Sequence, residues 1–201
     1  MMMILSVLLG MLAGFLVLDG HHLPQLDHLL EWVLALLLFT IGYEVAQDGS
    51  WWVRAWQDRK RAILLPLTVL LASLAGGALA GWVVRLPVAQ SLVMGGGMGW
   101  YSMSAVLVGQ SYGYAAGALA FLANLFRELM VLLAAPWLLR WGGAGGLIGA
   151  AGATAMDSTL PVIVRVAGSK WAVLSLISGM ILSLLVPFIT LLVVSILGGG
   201  G

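Results

Sequence analysis

The chain has 201 residues, of which 62% are apolar and 8% charged, with a mean hydropathy of +1.08. A soluble domain carries about 25% charged residues and needs a polar shell, so a water-soluble globule is excluded and the bilayer is the expected solvent. Nine Lys and Arg against eight Asp and Glu, a net charge of +1, make no basic field for nucleic acid, and zero cysteines exclude a disulfide framework, a thiolate metal site and a cysteine nucleophile.

Residues 1–18 carry no charge and just reach the roughly 18 residues that a crossing of the hydrocarbon layer needs, so they are expected to form a retained first span. No cation precedes the run and no small-x-small site follows it, which argues against a signal peptide. The polar loop with Asp19, His21, His22, Asp27 and His28 matches no common zinc spacing and reads as solvated. A second span over residues 29–46, with Glu31 and Glu44 near its ends, stops at the turn formers Gln47-Asp48-Gly49-Ser50. Trp51, Trp52, Arg54 and Trp56, leading into Arg59-Lys60-Arg61, mix tryptophan with cations as a headgroup-level segment on the cytoplasmic face does.

The third span, residues 62–84, is stopped by Arg85-Leu86-Pro87. A later span over residues 114–139 holds Asn124, Arg127 and Glu128 in its middle, and the last, residues 171–197, contains Pro187. Between them lie two apolar stretches that are poor helices: residues 88–110, with Gly95-Gly96-Gly97-Met98-Gly99, and residues 142–166, with seven glycines or prolines including Gly152 and Pro161. Gly costs a helix about 1 kcal/mol and Pro about 3. Irregular backbone at membrane depth is tolerated where it is buried in protein or lines a wet cavity, so both stretches are expected to be broken or re-entrant. They also resemble each other: Gly99-Trp100-Tyr101-Ser102-Met103-Ser104 and Thr154-Ala155-Met156-Asp157-Ser158-Thr159 each follow a glycine run. Paired interrupted segments of this kind point to a transporter's binding site.

The fold expected is thus an all-α polytopic membrane domain over residues 1–201. A three-helix part, 1–84, precedes a core, 85–201, giving about five full spans plus two broken segments, with seven crossings as the alternative. If both stretches re-enter, Arg54, Arg59, Lys60, Arg61, Arg140, Arg165 and Lys170 lie inside and Arg85 outside, which sets the N-terminus inside and the C-terminus outside. Re-entry also gives the third and the later span, each with its stretch, opposite orientations: an inverted repeat.

At mid-membrane an ionised side chain costs at least about 2.5–3.5 kcal/mol and marks a functional site. Asn124 and Glu128 share a helix face; Arg127 and Glu128, being adjacent, do not face each other. Arg127 is therefore expected to pair with Asp157, leaving Glu128 as the acid free to hold a proton or a cationic cargo. Asn124, Trp100, Tyr101, Ser102, Ser104 and Thr159 are expected as polar lining. No nucleophile–base pair, Walker loop or metal-ligand motif is present, so an enzyme, a cofactor and a metal are not expected and an ion gradient is the energy source.

Three motifs in order carry a family resemblance: Met98-Gly99-Trp100-Tyr101-Ser102-Met103-Ser104, then residues 120–129 with Asn124-Leu125-Phe126-Arg127-Glu128, then Gly152-Ala153-Thr154-Ala155-Met156-Asp157-Ser158-Thr159-Leu160-Pro161-Val162. Over about residues 35–196 the chain resembles the lysine exporter LysO family. The resemblance implies export of L-lysine across a bacterial or archaeal cytoplasmic membrane in exchange for protons. It also implies a short form without the additional N-terminal unit of longer members, whose flank a second copy of the chain, or a separately encoded partner subunit, would cover. The rival readings are a proton or sodium channel or carrier without organic substrate, and a non-transporting subunit of a larger complex.

Overall fold

In the computed structural model the described residues are 59–197 together with Trp32, Leu36, Phe39, Thr40, Tyr43, Ala46 and Gln47, all seven helical. The first expected span, the histidine loop, Glu31, Glu44 and most of the second span lie outside the described residues.

Six α-helices and no strand make up residues 59–197: α1 (Arg59–Val84), α2 (Val88–Gly96), α3 (Tyr101–Tyr112), α4 (Tyr114–Ala151), α5 (Leu160–Ala167) and α6 (Ala172–Leu197). Three continuous helical stretches, Arg59–Val84, Tyr114–Met156 and Ser169–Leu197, are long and apolar enough to cross a membrane. They coincide with the three expected spans in this region. Arg59, Lys60 and Arg61 belong to α1, and the tryptophan-bearing part of that segment, residues 51–58, lies outside the described residues. A difference is in α4, which continues helically beyond Leu139 to Ala151, with one non-helical residue, Gly143 (φ 64, ψ −172), where its direction changes. Of the glycines in 142–152, those at 145, 146 and 149 are helical, so glycine content alone did not locate the break.

Each broken stretch doubles back on itself. Val93 of α2 and Val108 of α3 share a buried cluster with Ala116 and Ala120 of α4, and Leu86 and Tyr112, at opposite ends of the α2–α3 segment, both pack against it. The start of α2 and the end of α3 therefore lie at the same level. α2 also runs antiparallel to α1: Gly77 faces Gly95 and Gly81 faces Ser91, so closely that a Cβ on Gly77 would sit 2.9 Å from the Gly95 Cα. Small residues set this separation, as in membrane helix pairs, where packing rather than apolar burial drives association.

The second stretch repeats the plan. Beyond Gly143, Leu147, Ile148 and Ala151 pack against Val131 and Ala135 of the preceding part of α4, against Val162 and Ile163 of α5, and against Ala62 of α1. Leu138, Leu139, Val166 and Trp171 close the same cluster, so α5 returns to the end from which the post-Gly143 segment set out. The α2–α3 and α4–α5 hairpins thus approach from opposite ends of the bundle. α6 spans both: Leu174 joins the second hairpin's cluster, Leu182 and Val186 pack with Met98 and Ala153, and Val193 and Val194 reach the first hairpin's cluster.

Candidate functional site

The two hairpin tips meet. The Ala153 amide of the second donates to the Met98 carbonyl of the first at 2.8 Å. At this crossing Gly152 has φ 67, and a Cβ there would run into the Met98 carbonyl, so only glycine fits both the backbone and the space. An unwound backbone has orphan polar groups that no lipid can satisfy, and α4 supplies their partners from one short stretch, residues 124–128.

Asn124 holds the first tip. Its Oδ1 accepts from the Gly99 amide at 2.8 Å, and its Nδ2 donates to the Met94 carbonyl (3.2 Å), the Ala120 carbonyl (2.9 Å) and Ser104 Oγ (3.4 Å). Asn124 and Ser104 are both buried. Arg127, one turn further, holds the second. Its Nε donates to the Ala150 carbonyl at 2.7 Å, Nη2 to the Gly149 carbonyl at 2.8 Å and Nη1 to Ser73 Oγ at 2.9 Å. This corrects the expected Arg127–Asp157 pair. The guanidinium goes instead to carbonyls in the last turn of α4, which have no intrahelical partners and carry the negative end of the helix dipole.

Asp157 is turned toward its own loop, where its Oδ1 accepts from the Ser158 amide and, at 3.2 Å, from Ser158 Oγ. The loop is tied by the Thr154 carbonyl, which accepts from the Asp157 amide (3.1 Å), the Thr159 amide (3.2 Å) and Thr159 Oγ1 (2.9 Å). Ser175 of α6 donates to the Ala155 carbonyl at 2.8 Å and anchors the loop from behind.

Glu128 sits on the other flank of α4 from Arg127 and is 7% exposed. The Ser158 hydroxyl stands within hydrogen-bonding reach of it and Asp157 within electrostatic range. Tyr101, the first residue of α3, is within electrostatic range of both acids and is braced edge-on by Phe121, ring centroids 5.4 Å apart at 82°. Tyr101, Glu128 and Asp157 are therefore within electrostatic range of one another, and Ser158, hydrogen-bonded to Asp157, stands near Glu128. The structure does not bring the other expected lining residues there: Asn124, Ser104 and Thr159 are consumed by the tips, Trp100 packs against the Val69, Met98 and Leu182 cluster, and Ser102 is on an exposed face of α3. Sequence reasoning missed Ser158, although it lies inside the quoted motif, and Ser73, a lone serine in an otherwise apolar span. A buried and a half-buried carboxylate beside a hydroxyl and a phenol, with the nearest guanidinium bound to backbone carbonyls, can be satisfied by a proton or by an ammonium group.

The family profile for the lysine exporter LysO matches residues 4–194, further toward the N-terminus than the sequence motifs reach. The chain is 37% identical over 159 residues to the "Lysine exporter LysO" of Escherichia coli, covering 79% of this chain and 52% of that protein. It therefore spans about half the length of that relative. It is 30% identical over 184 residues to a "Putative lysine exporter" of Haemophilus influenzae, covering 92% of each. No solved structure matches it significantly. A helical multi-pass membrane chain with acids gathered at a crossing of unwound tips, matched over nearly its whole length by one profile, belongs to the lysine exporter LysO family, a family of transporters and not of enzymes.

Proposed function

We propose that this chain exports L-lysine or a similar cationic amino acid across the cytoplasmic membrane, coupled to proton antiport. The observation that carries the reading is the convergence of Glu128 and Asp157, with Ser158 and Tyr101, beside an unwound tip, while Arg127 is engaged with backbone carbonyls. Glu128 takes the substrate ammonium in one state and a proton in the other; Asp157 and Ser158 complete the niche; Arg127 and Asn124 hold the tips that shape it. The hairpins are re-entrant, one from each face, and α1 with the first and α4 with the second form an inverted repeat. In inverted repeats of this kind a substrate site lies near mid-membrane, where unwound backbone converges, which supports this reading.

In proteoliposomes bearing a proton gradient, the parental chain moves labelled lysine and Glu128→Gln moves it at least tenfold more slowly. Unchanged transport by Glu128→Gln removes the role given to that acid. Current far faster than a carrier can cycle would instead assign the chain to the channels.

A further inference from the structure

A cavity of about 340 Å³ lies between α1, α2 and the first half of α4, with Arg127 in its lining and the neighbouring Glu128 outside it. It runs from Val84 and Leu86 at one end to Ser73 and Arg127 at the other, and Gly76, Gly77 and Ala80 leave it open along its length. Its size is in the range of roughly 300–1,000 Å³ that small-molecule sites occupy. None of the residues lining it is acidic.

Among the described residues, the cation at its deep end has no anionic partner. A guanidinium has five N–H donors in a fixed fork. Three of Arg127's go to Gly149, Ala150 and Ser73, all neutral acceptors, and two remain. Ser73 Oγ accepts from Arg127, which leaves its own hydrogen to donate to a further acceptor. Among the described residues the full charge at the end of this cavity is thus met by dipoles alone, and a hydrogen bond to an ionised acceptor is about twice as strong as one to a neutral acceptor.

We propose that this cavity receives the α-carboxylate of the transported amino acid, held by the uncommitted Arg127 N–H groups and the Ser73 hydroxyl. The proposal rests on the export reading above and adds to it a requirement that the cargo carry a carboxylate as well as an ammonium. With residues near Arg85 on the outer face, the Val84 and Leu86 end is the outer mouth, so the carboxylate docks on the release side.

The test is competition against labelled L-lysine transport by the full chain in proteoliposomes. Unlabelled L-lysine competes, whereas 1,5-diaminopentane, which has two ammonium groups and no carboxylate, needs at least a tenfold higher concentration. Ala80→Phe fills the cavity without touching the donors of Arg127; it raises the half-saturating lysine concentration about tenfold and leaves competition by the diamine unchanged. Equal competition by lysine and diamine overturns the proposal, as does an Ala80→Phe chain with parental lysine saturation. Acetate competing as well as lysine would assign the cavity to free carboxylates and overturn its assignment to the cargo. Parental lysine transport with equal diamine competition leaves the export reading standing; no lysine transport by the parental chain removes both.

Discussion

Asn124 shows how one side chain can hold a membrane-depth break. Interhelical hydrogen bonds in membranes average only about 0.6 kcal/mol, but a buried donor left without a partner costs about 1–3 kcal/mol. Removing the Asn124 amide strands the Gly99 amide and the Met94 carbonyl together, so the second effect dominates. Asn124→Ala is expected to destabilise the detergent-purified protein by about 2 kcal/mol, read as a lower thermal midpoint, and Asn124→Asp, which keeps the acceptor for Gly99, to lose less. The presence of Asn124, Arg127 and Glu128 at mid-membrane was legible because an ionised residue in an apolar run stands out. The partner of Arg127 was not: it is a pair of backbone carbonyls, which every residue carries, so no side chain marked them. The same limit hid the Met98 carbonyl that receives Ala153.

At the scale of elements, the helices and their interruptions were readable from apolar length and from Gly and Pro. What could not be read was which glycine breaks the chain. Gly152 and Gly146 are both in one glycine-rich stretch, yet Gly146 is exposed and helical with nothing near its missing Cβ, and Gly152 is pressed on the Met98 carbonyl at φ 67. The difference comes from the other hairpin, about 50 residues away in the chain, which local sequence does not register. Gly146→Ala should leave stability unchanged or raise it by up to about 1 kcal/mol. Gly152→Ala pays about 1–2 kcal/mol for its backbone and more for the displaced tip, and is expected to abolish lysine transport while the protein still inserts. Parental transport by Gly152→Ala would show that the tips do not need to meet.

For the whole molecule the decisive property is which ends share a side. The expected orientation places Tyr114, 97% exposed at the start of α4, outside and Lys170, before α6, inside. Because the chain has no cysteine, Tyr114→Cys and Lys170→Cys are clean single probes. In intact cells an impermeant thiol reagent should modify the first and spare the second; the reverse pattern would invert the topology. Light scattering of the detergent-purified chain should give twice the mass of one chain if a second copy covers its flank, and a transport-competent monomer would defeat that expectation. A second copy would leave no trace in the sequence, since lipid-facing and partner-facing residues would be equally apolar.

Asn124 grips one tip and Arg127 the other from within a single turn of α4. A tilt of that turn would be felt by both tips at once, so in the proposed orientation an obstruction at the outer end of α4 would also slow movement at the inner side. Blocking Tyr114→Cys with a bulky adduct should therefore slow the labelling of a second cysteine placed beside Glu128 from the cytoplasmic side, with nothing bulky near it.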